Sequence, residues 1–120
     1  DNTPLITEYK RIAPDTSHWH AFIEKMLIFE NQPYNLGEDK IKGIKVPVLL
    51  IMGDNDGVDL NHTVAMYRSF GGGVFGDIAG LPKSQLAIVP ATTHVSLMMD
   101  PENILGPIKT FFASFEARKK

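Results

Sequence analysis

The chain has 120 residues, 43% of them hydrophobic and 22% charged, with a formal net charge of −2 and no cysteine. That length and composition suit one globular domain with a real core. They exclude disulfides, thiolate metal sites and a cysteine nucleophile, and they give no electrostatic case for nucleic acid or an anionic membrane as partner. No apolar run approaches the length of a transmembrane helix. The sequence opens at Asp1 rather than Met, without a signal-like stretch, which is read as a fragment or processed product with any targeting segment removed. The compartment stays open, with the cytoplasm favoured.

In chain order, Leu5, Ile6, Tyr9 and Ile12 follow Pro4 as a short helix that Pro14 ends. Asp15-Thr16-Ser17 offers side-chain acceptors for a new helix start. Trp19, Phe22, Ile23, Met26 and Leu27 then recur at helical spacing, which predicts an amphipathic helix with one buried stripe. Residues 31–45 are mixed and polar, a connector with room for a helical turn near Glu38–Ile41. Val46–Met52 is a continuous apolar run, rich in branched residues and punctuated by Pro47 and Gly53, and predicts a strand buried on both faces. A helix capped by Asn61 follows and carries Val64, Ala65, Tyr67 and Phe70 to the Gly71-Gly72-Gly73 stop. Residues 71–82 are expected to form a flexible surface loop. They are not a phosphate loop, because no Lys-Ser/Thr follows and no strand precedes.

Gln85–Pro90 is a second strand, followed by Ala91-Thr92-Thr93-His94. A last helix starts at Pro101 with Asp100 as its cap. It buries Ile104, Leu105, Ile108, Phe111, Phe112 and Phe115, and ends in a solvated basic tail, Arg118-Lys119-Lys120. Strand, helix, strand, helix is βαβ logic with parallel strands. The expected architecture is therefore a helical segment over 1–45 and a βαβα unit over 46–120. Two parallel strands make an incomplete sheet with an unpaired edge, so the isolated chain is expected to self-associate as a homo-oligomer through the 46–52 strand.

The carboxyl ends of parallel strands are where open α/β sheets place their chemistry. Each strand here ends in a candidate group: Asp56 after the first, His94 after the second. A carboxylate beside an imidazole fixes its tautomer and leaves the other nitrogen as a general base. A nucleophile must complete such a set. None of Ser17, Ser69, Ser84, Ser96 and Ser114 lies in a Gly-x-Ser-x-Gly turn. Asp54 is read as bracing the turn around Asp56. A calcium loop does not fit, since glycine falls at position four and position twelve is Ala65. His18, His20 and His62 have no partner at ligand spacing, so no metal or cofactor is expected.

Residues 46–115 resemble the C-terminal end of an α/β-hydrolase-fold protein. Gly53-Asp54-Asn55-Asp56 matches the Gly-x-x-Asp acid motif, with Asp56 in the acid position. Pro90-Ala91-Thr92-Thr93-His94 matches the histidine loop, with His94 in the base position, and 101–116 matches the closing helix. The segment before residue 46 is similar to the stretch that leads out of the lid. The resemblance implies an α/β fold of which this is the last portion, and a parent that hydrolyses a small ester, amide or related bond of a small-molecule substrate. The nucleophile, serine or aspartate, and the oxyanion-hole loop would lie outside this chain. The 71–82 stretch departs from the pattern as an insertion between acid and histidine. The competing expectation is a non-catalytic interaction module on a hydrolase-like scaffold.

Overall fold

The computed structural model describes residues 3–117. Among them are seven α-helices and two strands, in a mixed α/β arrangement. The chain divides into two compact units, Asp1–Asn35 and Leu36–Lys120.

The first unit holds α1 (Pro4–Ile12) and α2 (Trp19–Glu30). Pro4 opens α1, where its missing N–H is harmless. Between the helices the Asp15 carboxylate accepts from the Ser17 amide at 2.8 Å and starts a 3₁₀ turn, Thr16–His18, that runs into α2. Tyr9 packs on Phe22 and Trp19, with ring centroids 5.4 and 5.2 Å apart. The stripe expected to be buried is so only in part: Trp19 and Ile23 are half-buried, while Phe22, Met26 and Leu27 are exposed, Leu27 by 53%. Ile28 and Phe29, on the rest of the circumference, are exposed too. With apolar residues all round, α2 lacks the polar face that defines a surface helix.

The second unit is built on the parallel pair β1 (Leu49–Gly53) and β2 (Gln85–Val89). Their register runs from Leu49 opposite Gln85 to Gly53 opposite Val89. The βαβ reading therefore holds, as a two-stranded open sheet. β1 begins three residues later than the apolar run suggested. The Val48 amide donates to Ser84 Oγ at 3.1 Å instead of entering the ladder, and Val46 is exposed. Burial on both faces is also corrected. Leu49 to Ile51 are half-buried, and only Met52 and Gly53 are buried. A sheet of two strands has too few neighbours to enclose either one.

The helices of this unit are α3 (Glu38–Lys42), α4 (Leu60–Ser69), α5 (Gly76–Ala79), α6 (His94–Met99) and α7 (Glu102–Ala117). α6 and α7 pack against β1, α7 also meets β2, and α3 lies against α4. Gln85 Nε2 donates to Ser114 Oγ at 2.9 Å, which ties β2 to α7. The strand alternation then turns Leu49, Ile51 and Ala87 toward α7 as well. The cap of α4 is Asp59, not Asn61: its carboxylate accepts from the His62 amide at 2.8 Å. Asn61 falls inside the first turn, too late to cap. Gly71, at φ +84°, supplies the left-handed exit from α4.

The expected loop 71–82 contains the one-turn α5, and α6 occupies residues assigned to the loop after β2. The last helix starts at Glu102, one residue later than expected, and Asp100 accepts at its start as foreseen, from the Glu102 amide at 3.1 Å. Its buried stripe is narrower than the six residues predicted. Ile104, Ile108, Phe111 and Phe115 are half-buried at helical spacing, while Phe112 is 63% exposed. The expected basic tail lies outside the described residues.

Candidate functional site

Site construction begins with Gly53, the last residue of β1. A side chain there would overlap the Thr92 carbonyl, and would lie 2.8 Å from Thr92 Oγ1. Glycine lets the turn after β2 close directly onto the end of β1. Three hydrogen bonds then fasten the two strand ends. The Asp54 amide donates to Val89 O at 3.0 Å, the Asn55 amide to Thr92 O at 3.0 Å, and the Thr92 amide to Asp54 Oδ1 at 3.2 Å. Thr92 is buried, and its hydroxyl donates to Val89 O at 2.8 Å.

The next residue in the turn, Thr93, caps α6. Its hydroxyl accepts from the Ser96 amide, and Ser96 Oγ accepts from the Thr93 amide at 2.8 Å, a reciprocal capping box. His94 is therefore the first residue of a helix whose start is fixed. Across from it, the Asp56 carboxylate accepts from the Val58 amide at 2.9 Å.

The result is that Asp56 and His94, 38 residues apart, meet. His94 Nδ1 lies 3.2 and 3.3 Å from the two Asp56 carboxylate oxygens. The carboxylate only accepts, so Nδ1 carries the proton in this contact. The Asp56 side chain is 3% exposed and the imidazole 71%. The acid is thus shielded while the base faces outward. Among the described residues His94 Nε2 has no hydrogen-bond partner. The Val58 amide, reinforced by the charge and side chain of His94, holds the Asp56 carboxyl below its ordinary value even though burial opposes this. Asp56 therefore stays ionised at neutral pH. Chemically the pair can orient an imidazole, and stabilise its protonated form, with one nitrogen presented to a reactant.

Asp54 accepts from Asn55 Nδ2 at 2.7 Å within the turn that leads to Asp56, and its carboxylate also reaches across. It holds the opposite turn, through Thr92. The Ala91 backbone amide is the largest influence lowering its pKa, with the Asn55 side-chain amide and the Thr92 amide adding to it against desolvation. Sequence reasoning missed the roles of Gly53 and Thr93. Thr93-x-x-Ser96 was the signal for a helix beginning at His94. Ser96 is committed to that cap. No serine hydrogen-bonds His94 among the described residues. His18, His20 and His62 are exposed, and no group of three or more metal-ligating side chains occurs among the described residues.

Concavities among the described residues lie elsewhere. One, of about 520 Å³, runs along α2 beside His20 and Leu27. The other, of about 330 Å³, sits where β1 and β2 begin, between Lys45, Phe70 and Lys83. Neither includes Asp56 or His94, so neither is a substrate pocket for that pair. No helix among the described residues is long and apolar enough to cross a membrane.

The fold and site define a mixed α/β protein with an acid–imidazole pair at the carboxyl ends of two parallel strands. No protein-family model, curated protein or solved structure matches the chain.

Proposed function

We propose that this chain is the C-terminal part of an α/β-hydrolase-fold enzyme acting on a small ester, amide or related bond. The observation that carries the reading is the contact of His94 Nδ1 with the shielded Asp56 carboxylate at 3.2 Å. Both residues sit just beyond neighbouring parallel strands, in the order acid then histidine. With a serine nucleophile, His94 Nε2 removes the hydroxyl proton as oxygen attacks the substrate carbonyl. The imidazolium that forms is stabilised by Asp56, and it returns the proton to the leaving group. Water then repeats the cycle and releases the acid. The nucleophile and the donors for the oxyanion would come from chain outside these 120 residues. With an aspartate nucleophile, His94 would instead activate the water that cleaves the covalent ester.

The test is fluorophosphonate labelling and ester turnover of the full-length protein recovered from its native source. His94→Gln should lower turnover by roughly 10³-fold or more. Unchanged turnover would overturn the proposal. The isolated chain should show no turnover that depends on His94. Hydrolysis that is lost on His94→Ala in this chain alone would mean that its nucleophile is not missing.

A second reading is favoured by the open outer edges of the two-stranded sheet. In it the chain is an interaction module that pairs with a second copy along β1. It predicts an assembly without turnover, and its discriminating measurement is the oligomeric state.

A further inference from the structure

We infer that Asp54 is a positioning residue for His94, acting through the Ala91–Thr93 turn without touching the imidazole. Its catalytic consequence rests on His94 being the base, but the positioning itself stands on the geometry.

The imidazole is largely exposed and has, among the described residues, one side-chain partner, Asp56, at 3.2–3.3 Å. Little around the ring holds it, so its direction depends on where its backbone is rooted. That root is the turn between Val89 and Thr93. Ala91 there adopts φ 56°, the only left-handed non-glycine residue among those described. An alanine disfavours this conformation and adopts it only where its surroundings impose it. Asp54 supplies the restraint. Its carboxylate takes the Thr92 amide at 3.2 Å and is oriented by Asn55 Nδ2 at 2.7 Å. Its backbone amide takes Val89 O at 3.0 Å. One residue thus grips the turn on both sides of the strained alanine. Thr93, next along, fixes the start of α6 and hence the Cα of His94.

The two acids of Gly53-Asp54-Asn55-Asp56 therefore divide the work. Asp56 faces the imidazole, and Asp54 faces the backbone that carries it. A carboxylate is the suited group, because it accepts from the turn without offering a competing donor.

The experiment uses the chain itself, with the ¹⁵N spectrum of the neutral His94 side chain reporting the Nδ1–H to Nε2–H tautomer ratio. Urea unfolding is measured in parallel. Asp54→Ala should shift the ratio away from Nδ1–H by about fivefold, the size of effect expected for losing one modest hydrogen-bonded restraint. Asp54→Asn, which keeps an acceptor oxygen but loses the charge, should fall between. Ala91→Gly on the Asp54→Ala background should recover part of the ratio, since glycine enters the left-handed region without help. A ratio that stays unmoved in folded Asp54→Ala overturns the proposal, even if stability falls. If that variant does not fold, an unmoved ratio in Asp54→Asn overturns it equally. The readout needs no substrate, so failure here is distinct from failure of the hydrolase reading.

Discussion

Gly53→Ala isolates the contact on which the site is assembled. The added methyl would overlap the Thr92 carbonyl, and it would also lie 2.8 Å from Thr92 Oγ1. The nearest obstacle is backbone, so no rotamer change relieves it. Ordinary contact requires the 91–93 turn to retreat by roughly 1 Å. That retreat strains the Asn55–Thr92 backbone bond, now 3.0 Å, and the Thr92–Asp54 bond, now 3.2 Å. Overpacking of this kind costs about 1–3 kcal/mol, and losing the backbone bond adds about 1 kcal/mol. The alanine recovers about 0.5–1 kcal/mol by restricting the unfolded chain. The expected net loss is about 1–3.5 kcal/mol, measured by urea unfolding with far-UV circular dichroism. Gly57→Ala is the control. Nothing lies within 4 Å of a Cβ at that position and its φ is not left-handed, so the change should stay within about 0.5–1 kcal/mol of neutral. A Gly53→Ala loss no larger than the Gly57→Ala change would refute the argument that the strand ends meet backbone to backbone.

Gly106 lies inside α7 with open space around a Cβ apart from its chain neighbours, and Pro107 follows it. Gly106→Ala should therefore stabilise by less than the about 0.5–1 kcal/mol of an ordinary helix interior in the same unfolding assay, because the new Cβ meets the proline ring. Asp59→Ala removes the cap that holds the His62 amide and should cost about 1 kcal/mol, read by urea unfolding and by faster hydrogen exchange at the start of α4. The pKa values of Asp54 and Asp56 are lowered from 3.8 in the folded chain. Their contribution is therefore complete above pH 3.8 and is lost as pH falls through the lower folded values, because the unfolded state takes up these protons first. Unfolding free energy should thus fall below about pH 4, with a shallower fall in Asp56→Asn. Under the interaction-module reading, light scattering of the isolated chain should show a dimer or larger species, and a clean monomer at high concentration would count against pairing through β1.

The sequence by itself determined the order and type of the longer elements. Period and punctuation sufficed for α1, α2, α4, α7, β2 and the body of β1, because Pro4, Pro14, Gly53, the 71–73 glycines and Asp100 mark chain reversals whatever surrounds them. Candidacy of Asp56 and His94 was legible as well, since parallel strands deliver their carboxyl ends to one edge. The short α3 was foreseen near Glu38–Ile41, but two other short elements escaped. α5 has four residues and α6 has six, less than two turns, so no periodicity could develop, and only the Thr93–Ser96 box betrayed α6. Tertiary structure decided what depends on a neighbour distant in sequence. The Val48 amide went to Ser84 and shortened β1. Phe112 missed the buried stripe of α7, and Phe22, Met26 and Leu27 of α2 stayed exposed. Burial is a relation between two surfaces, and one helix's pattern names only half of it. The 3.2 Å contact of His94 with Asp56 is of the same kind. Residue types supplied a base and an acid, but their distance was fixed by Gly53 admitting Thr92, by Asp54 gripping the turn at Ala91, and by Thr93 starting a helix at His94.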